Sequence, residues 1–455
     1  MHKSKVAAIS VSVALAAMLG TALAAPAAAV DPRAVDEPHV TVEYFPEPGG
    51  EGRRTEVPVS TEAATGGAAH RSAAPTTGTT DGEVGELAVT GPSADRLDVV
   101  IIGDGYTADQ QDDFHAAAAA KWGDITGIEP YSSYQGLMNV WTVDAVSAES
   151  GITGDPTADV TKNTALGSYF WCSDTERLIC ADIDKVASYA AKAPEADLVV
   201  VVSNSTKYGG AGYSGLEAEG YPFDGVSTLS SDNAQSSMIA AHEIGHSVGL
   251  LADEYTYDSY GTWSGGELPD INSSVLTTDQ MAADRTKWYR WLGETDPTGG
   301  SVGTYEGSSY YPYGIHRPTS NSLMRALDVR DFNLPGREAM IAGFYREANA
   351  LSSGTRRSSA VLRTAAIRVS RAELTGLAAP ELRWYIDGVQ VRRAQGLTAV
   401  TPAGLGVAAD GRAHTVTVRT ADRTTSIRDP RVLAETAESL TWTVKPSRHK
   451  APSKH

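Results

Sequence analysis

Ala241-His242-Glu243-Ile244-Gly245-His246-Ser247-Val248-Gly249-Leu250-Leu251-Ala252-Asp253-Glu254-Tyr255 is the stretch from which the rest of the chain is read. Two histidines four positions apart fall on one face of a helix, so their ring nitrogens can share one zinc ion with Glu243 beside it. The surroundings are rich in alanine and free of proline, which predicts a helix over about residues 233–249. Gly249 suits a left-handed stop, and Asp253 follows where a third ligand is needed. A hydrolytic zinc takes three protein ligands and keeps one position open for water. In such a site Glu243 stands where it takes the water's proton and passes it to a leaving amine. The stretch points to a metal-dependent hydrolase, against the alternative of a surface helix that binds no metal.

A chain of 455 residues with 41% hydrophobic content has room for two or three domains with real cores. Its formal charge of -18 argues against a nucleic-acid partner, which needs a basic footprint. Met1-His2-Lys3-Ser4-Lys5 is basic, residues 6–23 are apolar and alanine-rich, and Ala22-Leu23-Ala24 or Ala27-Ala28-Ala29 supplies a cleavage site. Residues 1–29 therefore read as a signal peptide of a secreted, extracellular protein. A membrane anchor is the alternative, but the small residues make the run weakly hydrophobic, so no stable membrane insertion is expected. Cys172 and Cys180 fit a disulfide closing a small loop in an oxidising compartment, with two buried thiols as the alternative.

Residues 30–94 carry many breakers, as in Pro46-Glu47-Pro48-Gly49-Gly50, and one strand-like run, His39-Val40-Thr41-Val42-Glu43-Tyr44-Phe45. They are expected to be a disordered linker or a removable pro-segment. The segment holds no cysteine, so a thiolate from it cannot block the metal; an acidic residue such as Asp36 or Glu37 is the remaining kind of latch. From residue 95 the pattern becomes strand, helix, strand, helix, strand. The apolar runs begin at Leu97, Met138 and Asp197, with helices following Thr107 and around residues 181–191. That pattern predicts a mixed, mostly parallel sheet with helices on it. Gly103-Asp104-Gly105 lacks the spacing of a nucleotide-binding loop. Tyr208-Gly209-Gly210-Ala211-Gly212-Tyr213 is either an ordinary glycine-rich loop or a place where bare backbone meets something else. A sheet edge just before a zinc helix is where a peptide could be held as an added strand. Trp288, Trp291 and Leu292 read as one apolar helix face, and residues 334–350 as a closing helix. Residues 354–445 hold short alternating strands and an Asp387-Gly388 turn, predicting a small all-β sandwich, and 446–455 a disordered basic tail.

His242-Glu243-Ile244-Gly245-His246-Ser247 with Leu251-Ala252-Asp253-Glu254-Tyr255 resembles the peptidase M64 family, as do residues 97–106, 208–212 and Arg317-Pro318 before Met324. The likeness covers roughly residues 95–350, within a catalytic domain placed at 95–353. It implies a metzincin-like catalytic domain, one zinc ion on His242, His246 and Asp253, Glu243 as general base, and Met324 as the methionine beneath the metal, against plain core. Where metzincins place their third ligand, six residues after the second histidine, this chain has Ala252. No tyrosine stands two residues after Met324, where Ala326 is found, so the oxyanion donor is left unassigned, with Tyr310, Tyr311, Tyr313 and His316 as candidates. Together with the signal peptide, the reading is a secreted endopeptidase acting on a protein or peptide substrate, with a monomer expected. Set against it are a gluzincin, a serine hydrolase and a non-catalytic protein- or glycan-binding module; the first two lack their motifs.

Overall fold

The β-branched run beginning at Leu97 becomes the centre of an eight-stranded sheet. The structure, a computed structural model, describes residues 39–59, 80–223 and 225–447. Its main strands are β1 (His39–Tyr44), β2 (Arg53–Pro58), β3 (Val84–Ala88), β4 (Leu97–Asp104), β5 (Met138–Val143), β6 (Leu198–Ser203), β7 (Gly210–Tyr213) and β8 (Val226–Ser230). Their spatial order is β2-β1-β7-β8-β6-β4-β5-β3. The middle of the sheet, β8, β6, β4 and β5, is parallel, and the strands at either side pair antiparallel. Parallel pairing is confined to runs that are apolar throughout or flanked by helices, as strands covered on both faces require.

Alternate residues of β4 enter two cores. Leu97, Val99 and Ile101 pack with the helices Gln111–Thr126, Ser237–Ser247 and Leu334–Glu347, whereas Val100 and Ile102 pack with the helix Ile183–Ala190 and the disulfide loop. Each aliphatic side chain so buried contributes about 1.5–3 kcal/mol. Cys172 and Cys180 are bonded, with Cα atoms 5.8 Å apart. The helix expected to follow Thr107 begins only at Gln111, and Thr107 and Gln110 bond each other in the turn before it. Trp288 and Trp291 are core, as their spacing suggested, but the helix Thr278–Asp284 ends before them at left-handed Arg285.

Where residues 30–94 are described, they carry three strands of the main sheet. β1 and β2 form a hairpin on the β7 edge, with Val42 opposite Tyr213 and Glu43 opposite Gly212, and β3 pairs with β5. The low apolar content of the whole segment hid a local alternation. Val40 and Val42 bury one face of β1, while Glu43 and then Phe45 bury the other. The signal peptide over residues 1–29, Asp36, Glu37, residues 60–79 and the tail from 448 lie outside the described residues.

Beyond the helix Leu334–Glu347, strands Arg383–Ile386, Val389–Gln390, His414–Thr420 and Glu438–Val444 make a four-stranded antiparallel sheet. Asp387 and Gly388 both take positive φ in its tight hairpin, which is why a small polar residue and glycine stand there. Trp384 and Trp442 stack at 6.2 Å in its core. Short helices Pro402–Leu405 and Pro430–Glu435 accompany the strands, so this part is not made of strands alone.

Candidate active site

The motif helix, Ser237–Ser247, is shorter than the sequence suggested. Its left-handed closing residue is Leu250, with φ of 51°, and not Gly249. Gly249 is needed for close packing: a Cβ there would stand 2.6 Å from Met340 Sδ and 2.7 Å from the Gly245 carbonyl. The turn brings the Leu251 carbonyl back to accept from His246 Nδ1 at 2.7 Å, and the Leu323 carbonyl accepts from His242 Nδ1 at 2.9 Å. With both Nδ1 protons so committed, both Nε2 lone pairs turn inward.

Those two Nε2 atoms lie 3.0 Å apart. His242 Nε2 is 3.1 Å from Glu43 Oε1 and 3.3 Å from Asp253 Oδ1, and His246 Nε2 is 3.2 Å from Asp253 Oδ1 and 3.7 Å from Glu43 Oε2. A tetrahedral zinc with ligands at about 2.0–2.1 Å sets its ligand atoms about 3.3–3.4 Å apart, close to these spacings. Glu43 Oε1 and Asp253 Oδ1 are buried and receive no hydrogen bond. Lone pairs facing lone pairs in a buried cluster need a cation between them. Without a cation the same carboxylates would draw protons onto the imidazoles, which marks the point as one that demands positive charge. Burial works against a charged imidazole at His242, yet Glu43 and Asp253 push it up to about 10, and His246 rises by the same balance. Asp253 resists the upward push of burial and is held far below the usual carboxylate range by the two histidines. Two imidazoles and two carboxylates around one point form a donor set that fits zinc.

Glu243 lies beside this cluster, and burial followed by the nearby Glu43 carboxylate pushes it up to about 8. A side chain at Gly212 would overlap the Glu243 carboxylate, so this glycine lets the acid lie against the β7 backbone. Met324 is buried under the helix, where a Cβ at Gly245 would come within 2.7 Å of its sulfur. Glu254 points away from the metal cluster. It accepts from Asn272 at 3.0 Å, Asn333 at 2.9 Å and Ser322 at 2.7 Å, fastening the segment after the helix to the Met324 loop. Of the four oxyanion candidates only Tyr310 reaches the cluster, donating to Asp253 Oδ2 at 2.6 Å. Tyr311 packs edge-on against Trp263, Tyr313 is exposed, and His316 bonds the Ser274 carbonyl. Sequence reading missed Glu43, which comes from 199 positions upstream of His242 through sheet pairing. The alternating run His39 to Phe45, with an acid in the middle of a strand, was its available signal.

A family model for IgA peptidase M64 matches residues 85–299 and 294–344, more than half of the chain. The chain belongs to the IgA peptidase M64 family. Family membership makes it a peptidase of a metal-dependent kind, with protein as its substrate. The M64 match takes in the motif helix, Asp253 and Met324 and begins after β1 and β2, so Glu43 and Arg54 precede the part of this M64 chain that matches. No curated protein matches the sequence. Among the described residues no helix is long and apolar enough to cross a membrane.

Proposed function

We propose that this protein is a secreted zinc metalloendopeptidase with a metzincin-like catalytic domain. The observation that carries the reading is the convergence of His242 Nε2, His246 Nε2 and Asp253 Oδ1 on one buried point with the Glu243 carboxylate beside it. Zinc, when bound, would polarise the scissile carbonyl and acidify a water. Glu243 is the group that takes that water's proton and returns it to the departing amine, because it is the one carboxylate of the site free of the ligand set. Its carboxylate lies against the Gly212 backbone, out of bulk solvent. Tyr310 is the candidate donor to the developing oxyanion, its hydroxyl now engaged by Asp253. Met324 gives the histidines an apolar floor. The disulfide agrees with secretion, since such bonds persist in oxidising compartments.

The test is Glu243→Gln made both in the full chain and in the Glu43→Ala background, each against its own parent, assayed on casein and on a mixed peptide pool, with zinc measured in parallel. Hydrolysis should fall by about 10²–10⁴-fold, the usual contribution of a general base, while zinc stays bound. Hydrolysis that survives the substitution would sink the mechanism, and a binding module would show no hydrolysis in either protein.

A further inference from the structure

We propose that Glu43 is a fourth metal ligand, and that the β1–β2 hairpin carrying it holds the enzyme in a latent state. This rests on the peptidase reading for the identity of the cleft. A hydrolytic zinc must keep one position for water. Here that position is filled from the same chain, since the two oxygens of Glu43 face His242 and His246 at 3.1 and 3.7 Å. No hydrogen bond reaches Glu43 Oε1, so the metal is the partner that its burial calls for.

The hairpin also takes the place where a peptide would lie. β1 adds antiparallel to β7, the strand whose Gly212 backbone carries the Glu243 carboxylate, and Glu43 stands directly opposite Gly212. Main-chain pairing of this kind is how an extended peptide adds to a free sheet edge. Around it the hairpin is pinned at several points. Phe45 packs edge-on against the His242 ring at 5.0 Å, and Tyr257 donates to the Gly52 carbonyl at 2.9 Å. Arg54 donates to the Tyr310 hydroxyl at 2.9 Å, and the Asp328 N–H donates to the Pro48 carbonyl at 3.0 Å. The hairpin thus lies over the candidate metal ligands, beside the strand that Glu243 packs against, and on the oxyanion candidate. The hairpin precedes the region that the family model matches, residues 85–344. Tethering gives the Glu43 carboxylate a high effective concentration at the metal, which free water or substrate must overcome.

The experiment compares full-length wild type, Glu43→Gln and Glu43→Ala, each loaded with cobalt as a spectroscopic stand-in for zinc. Acetohydroxamate is titrated into each while the visible cobalt bands are followed, and casein cleavage is measured on the zinc forms. If the latch holds the site closed, hydroxamate binds Glu43→Ala at least about tenfold more tightly than wild type, the gain expected when a mostly closed site is opened. Glu43→Gln, which keeps the shape of the side chain, should move the same way, and casein cleavage should rise with it. Equal hydroxamate affinity in all three proteins overturns the latch. So does loss of cobalt from both variants without any gain in hydroxamate binding, which would make Glu43 a structural ligand. A gain in hydroxamate binding with no cleavage in any form would keep the latch and remove the peptidase reading. Full cleavage by wild type, unchanged in the variants, would do the reverse.

Discussion

At the residue scale, the two acids after the motif helix divide their work by the direction each carboxylate points. Asp253 faces His242 and His246, while Glu254 is spent on Asn272, Asn333 and Ser322. Asp253→Ala should therefore release the metal with modest loss of stability. Glu254→Ala should keep the metal at neutral pH but lose several kcal/mol, since each buried hydrogen bond to a charged group contributes about 1.5–3 kcal/mol. Metal analysis and urea unfolding of both variants check this; metal loss from the Glu254 variant alone would reverse the assignment. His242, Glu243 and His246 were legible because a helix fixes what four residues of spacing mean. Asp253 and Glu254 were not separable by spacing, because the loop after Leu250 follows no repeat and only packing decides which carboxylate turns inward. Glu43 was still less legible, since nothing in local sequence relates residue 43 to residue 242.

At the scale of elements, strands β4, β5 and β6 and the closing helix stand within a few residues of where the sequence pattern placed them. Their patterns are local and strong. The hairpin β1–β2 was hidden because an edge strand is defined by the partner it finds, and β7 offers only glycine, alanine and tyrosine as its signature. Within β7 the glycine matters at one position in particular. Gly212→Ala should push the Glu243 carboxylate aside while leaving both histidines in place. Measured on the active form, kcat should drop by about 10²-fold, the scale of a misplacement near 1 Å, with metal content unchanged. An alanine variant with unaltered kcat would show that Glu243 does not depend on that close approach.

At the scale of the whole molecule, the strands after residue 354 are fastened to the peptidase region through buried polar groups. Asp422 accepts from Tyr134 at 2.8 Å and from Tyr345 at 3.1 Å, and Glu338 accepts from Trp291 at 2.6 Å and from the backbone of Arg428. Asp422→Ala removes the buried carboxylate that Tyr134 and Tyr345 share and should cost roughly 2–4 kcal/mol in denaturant unfolding. A change below about 0.5 kcal/mol, the range of ordinary surface substitutions, would show the two parts to be joined more loosely than this. The short alternating strands made this region readable as β structure, but its short helices and its attachment to the peptidase region were not, because both rest on contacts far apart in the chain. The central claim concerns the metal, and X-ray absorption at the zinc edge of the purified full-length protein tests it most directly. One zinc per chain is expected, with two imidazoles and oxygen ligands at about 2.0–2.2 Å and no sulfur. A protein that holds no zinc, or a zinc with fewer than two imidazoles, would contradict it.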